Sequence, residues 1–444
     1  MRYQITIMTV WFVMMVQTIG LCQDCGFPIV FIDDSDGFDH YFKDQKMCDT
    51  LNYPITIENV SDLTKMNFLK KINHDLSISF TRQGFNELIG LDSLEEAHDI
   101  EIRGFLLSDL KRINILQSLK KANSIKIIGH NNLLSVGEIP LIDSLRFFQL
   151  SGNQSISTID FLPNLVKCNS FIITLNDNLE SIEIEENLND VIEFTVSSNE
   201  SLEEITLPKT TFKNRGRITL RNLPSLLKIN SQKNRSKYLY DLFFSELPNL
   251  QSFDGLNLLS KVERYFAFGD CSLIENIGQY ENLDTIGLFG VWNNNNLDNL
   301  EGVSGVKYLS DSLYIKSNPK LSMCDIESFC DFIDRNPIGT IVCDNKQNCN
   351  TGEEILQSCI ATNTENILNR NNFITVKPNP VYDLLECHLS DNYIGENIQL
   401  IGSNGNVYFA ETVRGNISSF NISNLNGGIY FIKIKDRVIK IIKI

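Results

Sequence analysis

A short sequence motif recurs every 23 to 25 residues between Leu76 and Met323, and this repetition limits the chain to a small group of folds. Each copy begins with an apolar–x–apolar triplet, then has Asn or Asp at the fifth position after its first residue and Leu or Ile at the eighth and eleventh. The copies begin at Leu76, Ile100, Ile125, Phe148, Phe171, Phe194, Ile218, Leu242, Tyr265, Leu288 and Leu313. Such a period is typical of a solenoid, in which each repeat forms one coil of chain and neighbouring coils share a core.

The opening triplet of each copy predicts a short strand, because side chains of a strand alternate between the two faces of its sheet. In the copy that begins at Phe148, this alternation places Phe148 and Leu150 inside and Gln149 outside. A single coil cannot bury its apolar edge, so equivalent residues of successive coils must stack. We therefore expect one interior column formed by Leu150, Ile173, Val196, Leu220 and Phe244.

A polar residue occupies the fifth position of most copies, where the strand gives way to a turn. The residues there are Asn153, Asn176, Asn199, Asp270, Asn293 and Asn318. Stacked amide side chains at this position can bond the exposed backbone of the turns above and below. Two copies carry Leu-Pro instead, at Leu223-Pro224 and Leu247-Pro248.

The repeat resembles the leucine-rich, receptor-L-domain-like solenoids of surface proteins from Bacteroidota. The resemblance covers most of the chain and implies an all-β fold, a leucine-rich-repeat-like β-solenoid over residues 76–323, with an N-terminal cap and first repeat over residues 23–75. The formal net charge of −16 argues against nucleic acid and against anionic membrane surfaces as partners.

The first 22 residues have the pattern of a secretory signal peptide, with Arg2, an apolar run from Ile5 to Val16, and Gly20 and Cys22 near the end. We expect cleavage just before Gln23 and no transmembrane segment in the mature chain. The apolar run is short for a membrane span, so an uncleaved anchor is the lesser alternative.

Cysteines predict disulfides at both ends of the solenoid, since bridges persist in exported proteins. Cys25 and Cys48 bracket the N-terminal segment and are expected to bond to each other. Residues 324–360 form a cysteine-rich region in which two short helices would cap the stack. Zinc is the rival explanation there, but irregular spacing favours bridges. The region holds Cys324, Cys330, Cys343, Cys349 and Cys359. We expect Cys324, Cys330, Cys349 and Cys359 to be bonded; because five is odd, one thiol stays free or pairs elsewhere, and the connectivity is open.

After a polar linker at residues 361–372, residues 373–444 alternate apolar and polar residues in short runs divided by turn signals, which predicts a small β-sandwich. This segment resembles the type A C-terminal sorting domain of type IX secretion, although Lys377 stands where that family usually has an aromatic residue. The residues that carry the resemblance are Pro378, Asn379, Pro380, Gly428, Tyr430, Lys440 and Lys443. The resemblance implies the type IX machinery as a partner, export across the outer membrane of a Bacteroidota-like bacterium, removal of the domain, and attachment to or release from the cell surface.

Sequence motifs of catalysis are absent. The five histidines are far apart and lack metal-ligand spacing, and no nucleophile elbow, phosphate-binding glycine loop or Cys-x-x-Cys occurs. We therefore expect no catalytic residue, metal or cofactor, and interpret the chain as a non-enzymatic binding or adhesion protein with an unidentified protein or glycan ligand. Two alternatives stay open. One is a carbohydrate-active enzyme that uses two carboxylates, and the other is a structural surface-layer component.

One position of the repeat suggests where a ligand would bind. The residue after the first of each copy should face outward, and in four successive copies it is aromatic: Phe243, Phe266, Phe289 and Tyr314, with Phe268 and Trp292 nearby. An exposed aromatic stripe is typical of a contact surface for a protein or a sugar. The alternatives are an aromatic ladder that only stabilises the sheet, or a stripe covered by the cysteine-rich cap.

Overall fold

The structure is a computed structural model, and the residues that it describes are 30–33, 49–182, 188, 190–208, 216–230, 236–253, 256, 258–362, 374–377, 380–390, 393–435 and 437–444. The chain divides into two compact units, residues 1–355 and 356–444. The predicted signal peptide, the predicted Cys25–Cys48 bridge and residues 363–372 of the predicted linker lie outside the described residues.

The first unit is a β-solenoid built on one long parallel sheet, which we call the front sheet. Its fourteen strands follow one another in chain order. They are Val30–Ile32, Ile55–Glu58, Leu76–Phe80, Asp99–Gly104, Ser124–Ile128, Ser144–Ser151, Lys167–Thr174, Asp190–Ser197, Arg217–Arg221, Tyr238–Ser245, Lys261–Gly269, Thr285–Trp292, Tyr308–Lys316 and Thr340–Cys343. Each coil of the chain therefore adds one strand to the sheet.

Short strands on the other sides of the coils form three narrower parallel sheets. The first consists of Asp62–Leu63, Glu87–Gly90, Arg112–Ile115 and Ser135–Val136; the second of Thr158–Ile159, Ser181–Ile182, Glu204–Thr206 and Lys228–Asn230; the third of Thr50–Leu51, Lys71–Ile72 and Glu96–Ala97. In the described part of the chain, single turns of 3₁₀ helix lie at Thr64–Met66, Glu301–Val303 and Pro337–Gly339. The core lies inside the coils, enclosed by these sheets.

The interior column predicted from the repeat is confirmed. Leu150, Ile173, Val196, Leu220 and Phe244 pair in register across adjacent strands, and each side chain is at most 1% exposed. A second column two residues earlier is also buried, and its phenylalanines stack on one another, with 4.9 Å between the ring centroids of Phe148 and Phe171. Strand alternation thus sets which residues enter the core, as expected of a half-buried strand.

Buried asparagines at the fifth position form what we call the asparagine ladder: Asn153, Asn176, Asn199, Asn294, Asn318 and the part-buried Asn345. Asn176 shows the pattern. Its Nδ2 donates to the carbonyl oxygens of Leu150 and Thr174, at 3.1 and 3.0 Å, and its Oδ1 accepts from the backbone N–H of Asn153 at 3.1 Å. Each amide thereby satisfies backbone groups of the coil before it as well as its own turn.

The expectation that Asp270 and Asn293 belong to this ladder is wrong. Cys271 and Asn294 hold the equivalent positions, and the Cys271 backbone N–H donates to Asn294 Oδ1 at 2.9 Å. The cause is an irregularity in strand pairing near the start of Lys261–Gly269, after which Phe266 pairs with Leu242. Two copies of the motif accordingly begin one residue later than predicted, at Phe266 and Phe289.

The end of the solenoid is capped by the helix Glu327–Arg335 and by the last front-sheet strand. The helix buries Phe329 against Phe289, with 4.8 Å between their ring centroids. Cys324 and Cys349 form a disulfide with Cα atoms 6.0 Å apart. Cys330 and Cys359 each take part in a disulfide, and Cys343 is a free thiol. A second helix spans Gly352–Thr362.

The second unit contains two antiparallel sheets. One consists of Ile374–Lys377, Leu384–Leu389 and Ile417–Asn421, and the other of Val407–Thr412, Asn397–Gly402, Gly428–Ile434 and Arg437–Lys443. Apolar residues of both sheets, including Leu385, Phe420, Leu400 and Ile432, belong to one core cluster. Among the described residues, no helix is long and apolar enough to cross a membrane.

Candidate ligand-binding groove

Small residues interrupt the outward face of the front sheet near its C-terminal end. One outward row crosses five adjacent strands and consists of Phe243, Ala267, Gly290, Tyr314 and Ile341. The two residues in the middle of the row have little or no side chain, so a depression opens between the rings of Phe243 and Tyr314.

This depression is a groove of about 620 Å³, which we call the aromatic groove. It is lined by Phe243, Tyr265, Ala267, Leu288, Gly290, Trp292, Ser312, Leu313, Tyr314, Ile338, Gly339 and Ile341. The lining is mostly apolar and open to solvent, since Ile338 is 96% exposed and Tyr265 is 37% exposed. A concave, mostly apolar surface with a few polar groups is the usual form of a candidate binding site.

Trp292 lies at one side of the groove and is held by several contacts. Its ring centroid is 5.9 Å from that of Phe243 and 6.2 Å from that of Tyr314, and its Nε1 donates to Asp270 Oδ2 at 3.0 Å. The indole packs across Gly269 of the preceding strand, where any Cβ would overlap it. The glycine and the hydrogen bond together fix the orientation of the indole before any ligand arrives.

A charged cluster fixes the Tyr265 side of the groove. Asp241, whose side chain is 7% exposed, accepts two hydrogen bonds from Arg264, at 2.6 and 2.8 Å, and lies 3.3 Å from Arg217. The Arg264 guanidinium lies over the rings of Tyr265 and Tyr240, at 4.3 and 4.8 Å from their centroids. The hydrogen bonds to Asp241 raise the pKa of Arg264 and hold its guanidinium against the Tyr265 ring, which keeps that ring in place.

A second depression, of about 530 Å³, lies along the turns that follow the same strands. We call it the polar groove, and it is lined by Asp270, Ser272, Asn293, Asn295, Ser317, Pro319 and Asp344. Asp270 connects the two grooves, because its Oδ2 accepts from Trp292 Nε1 while its Oδ1 accepts from Asn293 Nδ2 at 2.9 Å. The aromatic groove therefore has hydrogen-bonding groups along one side.

The structure corrects half of the predicted aromatic stripe. Phe266, Phe268 and Phe289 are fully buried, so the expectation that they face a ligand is wrong. The pairing irregularity that displaced two copies of the motif by one residue also exchanged their inner and outer faces. Phe243, Trp292 and Tyr314 do line the groove.

Sequence reasoning missed Tyr265, Leu288, Ile338 and Ile341, together with the small residues at the centre of the groove. A signal for the correct register was present but ambiguous. Four consecutive asparagines at residues 293–296 offered more than one candidate for the fifth position, and Asn294 rather than Asn293 is the buried one.

Stacking of the coils also brings together groups that are distant in sequence. Asp75, His98 and Asp99 place one ligand atom each within 4.8 Å of one another, although no metal-ligand spacing is visible in the sequence. His98 Nδ1 lies 3.2 Å from Asp75 Oδ1 and 3.3 Å from Asp99 Oδ2. Partial burial of Asp99 raises its pKa, but hydrogen bonds from Ser124 and Asn123 lower it further, so the pKa lies below the ordinary value. Hydrogen bonds account for the contacts in this cluster, between His98 Nδ1 and Asp75 and from Asn123 and Ser124 to Asp99.

In the second unit, residues of the sorting motif meet at the terminal strand. Exposed Pro380 precedes Val381, whose backbone N–H donates to the Ile442 carbonyl at 2.8 Å, and Gly428 pairs with Lys443. Tyr430 is 7% exposed and donates its hydroxyl to the Asn426 carbonyl at 2.8 Å. Lys440 is exposed and Lys443 is buried; Pro378 and Asn379 lie outside the described residues.

Residues 375–444 match the family model of the secretion system C-terminal sorting domain. No curated protein matches the chain significantly. The match covers the two antiparallel sheets of the second unit and the residues of the predicted sorting motif. The chain therefore consists of a β-solenoid and a C-terminal type IX sorting domain, which indicates secretion to the cell surface or the extracellular space.

Proposed function

We propose that this chain is a secreted, non-enzymatic binding protein, in which the solenoid presents the aromatic groove to a ligand and the C-terminal unit directs secretion. The observation that carries the proposal is the groove itself. It exposes rings and aliphatic side chains on a sheet whose other face is fully packed. Keeping such surface in water has a free-energy cost that a binding partner removes.

The composition of the groove favours binding over catalysis. Its polar lining consists of the Ser312 hydroxyl, the tyrosine hydroxyls and backbone groups. General acid–base chemistry near neutral pH requires carboxylate, imidazole or similar groups at the reacting atoms. The carboxylate nearest to this lining, Asp270 of the polar groove, has its two oxygens engaged by Trp292 Nε1 and Asn293 Nδ2, which favours a structural role for it.

We also propose which type of solenoid this is and where it acts after secretion. The repeat and the parallel front sheet support a leucine-rich-repeat-like, receptor-L-domain-like surface protein of Bacteroidota. After export, the solenoid would be attached to the cell surface or released, and adhesion to an external partner would be its role.

A binding array with a blocked groove tests the proposal. Gly290→Tyr places a ring at the centre of the groove, and a Cβ there makes only ordinary contacts, at 3.5 Å from its neighbours. Thr195→Tyr adds the same ring in the equivalent outward row, on a strand outside the groove. The array carries neutral polysaccharides (xylan, mannan and glucan), acidic polysaccharides (polygalacturonate and alginate), and collagen and fibronectin.

We expect at least one probe to retain the wild-type chain and the Thr195→Tyr variant but not the Gly290→Tyr variant. Equal retention of all three proteins on every probe that binds, or no retention at all, contradicts a binding role for the groove. Circular dichroism of each variant shows that the fold is retained.

A further inference from the structure

Resting on the proposed function, we infer that the aromatic groove binds an uncharged glycan chain, with sugar rings against the aromatic side chains and hydroxyl groups turned toward the polar groove. The inference comes from the juxtaposition of the two grooves, one apolar and aromatic, the other lined by carboxylates, amides and hydroxyls.

Sugar rings fit the apolar half of this surface. The C–H groups on the face of a pyranose carry partial positive charge, which matches the negative face of an aromatic ring. Phe243, Trp292 and Tyr314 present three rings whose neighbouring centroids lie about 6 Å apart, at 5.9 and 6.2 Å. All three are partly exposed on a rigid sheet, so stacking a sugar on them costs little conformational entropy.

The polar groove supplies hydrogen-bonding partners for the hydroxyl groups at the edge of a sugar ring. Each hydroxyl is both a donor and an acceptor, and it is best satisfied by a mixed set of partners. The carboxylates of Asp270 and Asp344 accept hydrogen bonds, and the amides of Asn293 and Asn295 donate and accept. This set lies directly beside Trp292, through the hydrogen bond from its indole to Asp270.

Charge indicates that the glycan is neutral. Two carboxylates line the polar groove, where no lysine or arginine is part of the described lining, and the whole chain has a formal net charge of −16. An acidic polysaccharide would place its carboxylates against these groups and be repelled.

The shape of the site favours a chain-like sugar over a peptide. The central row of the groove crosses five strands, from Phe243 to Ile341, and four strand spacings span roughly 19 Å. The strands that carry Phe243, Ala267, Gly290 and Tyr314 are paired on both sides, so over most of the groove an extended peptide has no free edge to join. Thr340–Cys343, the last strand of the sheet, pairs with one described neighbour only. Recognition over the rest of the groove must come from side chains, which here are aromatic and hydroxyl-bonding.

The sequence offers a direct readout of groove occupancy. The chain has two tryptophans, Trp11 and Trp292, so the full chain carrying Trp11→Phe has its only indole in the groove. We would titrate this protein with neutral oligosaccharides of glucose, xylose and mannose and with oligogalacturonates, following Trp292 emission and, in parallel, heat of binding.

We expect at least one neutral series to change Trp292 emission saturably, with affinity that rises with chain length. Oligogalacturonates should bind at least tenfold more weakly. Gly290→Tyr should reduce neutral-glycan affinity at least tenfold, and the matched Thr195→Tyr variant should leave it unchanged. Asp344→Asn removes one carboxylate at a position with φ 59°, a backbone conformation that Asn also tolerates. This variant should show a smaller difference in affinity between neutral oligosaccharides and oligogalacturonates than the wild-type chain does.

Three results would overturn the inference. Binding of neutral oligosaccharides by calorimetry without a change in Trp292 emission, or without loss in Gly290→Tyr, places a glycan site elsewhere. Preference for oligogalacturonates contradicts the argument from charge. If no oligosaccharide binds while collagen or fibronectin is retained in a groove-dependent manner on the array, the ligand is a protein, and the proposed binding function stands without this inference.

Discussion

Asn176→Ala removes the side chain from the middle of the asparagine ladder, and its effect on stability can be worked from the contacts. The substitution deletes two hydrogen bonds from Nδ2 to the carbonyls of Leu150 and Thr174 and leaves the buried N–H of Asn153 without its Oδ1 acceptor. The Thr174 carbonyl keeps a second partner, the Gly152 N–H at 3.0 Å. The Asn153 N–H is therefore left unsatisfied, at about 1–3 kcal/mol, and each of the two carbonyls loses one donor, at about 0.5–1 kcal/mol, so the free energy of unfolding should fall by about 2–5 kcal/mol.

Urea denaturation followed by circular dichroism measures this change, because the midpoint falls with the free energy of unfolding when the slope is unchanged. Asn178→Ala is the matched control, since Asn178 is exposed and lies in the same turn; we expect a change within about 0.5 kcal/mol. Asn176→Asp keeps an acceptor for Asn153 but buries a charge, and should destabilise at least as much as alanine. A change below about 0.5 kcal/mol for Asn176→Ala would show that the ladder contributes no net stability.

Three further predictions follow from other parts of the chain. Deleting residues 373–444 should leave the solenoid folded but retained in the periplasm, as fractionation and limited proteolysis would show; normal surface display contradicts this. Burial lowers the pKa of His130 from about 6.5 to about 4, so between these two pH values only the unfolded state takes up a proton at this residue. The free energy of unfolding should therefore fall by about 3 kcal/mol as the pH decreases from about 6.5 to about 4. His130→Asn should remove this contribution to the pH dependence of unfolding. Alkylation of the native, non-reduced protein should modify half-exposed Cys343. The buried thiols of Cys168, Cys271 and Cys387 should stay unmodified until the protein is denatured, because burial raises the pKa of each to about 12. Equal labelling of all four thiols in the native protein contradicts the structure.

Much of the solenoid could be predicted from the sequence, because its determinants are local. Strand alternation is a property of the backbone, so the apolar positions of each copy identified the interior column from Leu150 to Phe244 without tertiary information. The sorting domain was identifiable for a similar reason, since its turns and its terminal strand carry a recognisable pattern of residues. The bonded cysteines of the cap also agreed with expectation.

The binding groove was decided by how neighbouring coils pair. One irregularity near the start of Lys261–Gly269 turned Phe266 and Phe289 into the core and placed Ala267 and Gly290 on the outward side of the sheet, where they line the bottom of the aromatic groove. Side chains alternate between the two faces of a strand, so shifting the strand pairing by one residue exchanges the inward and outward faces. The hydrogen-bonded pairing with the preceding coil determines which face is outside. The sequence by itself therefore determined that this chain forms stacked coils and that aromatic residues gather near their C-terminal end, whereas the tertiary structure decided which of those rings meet solvent.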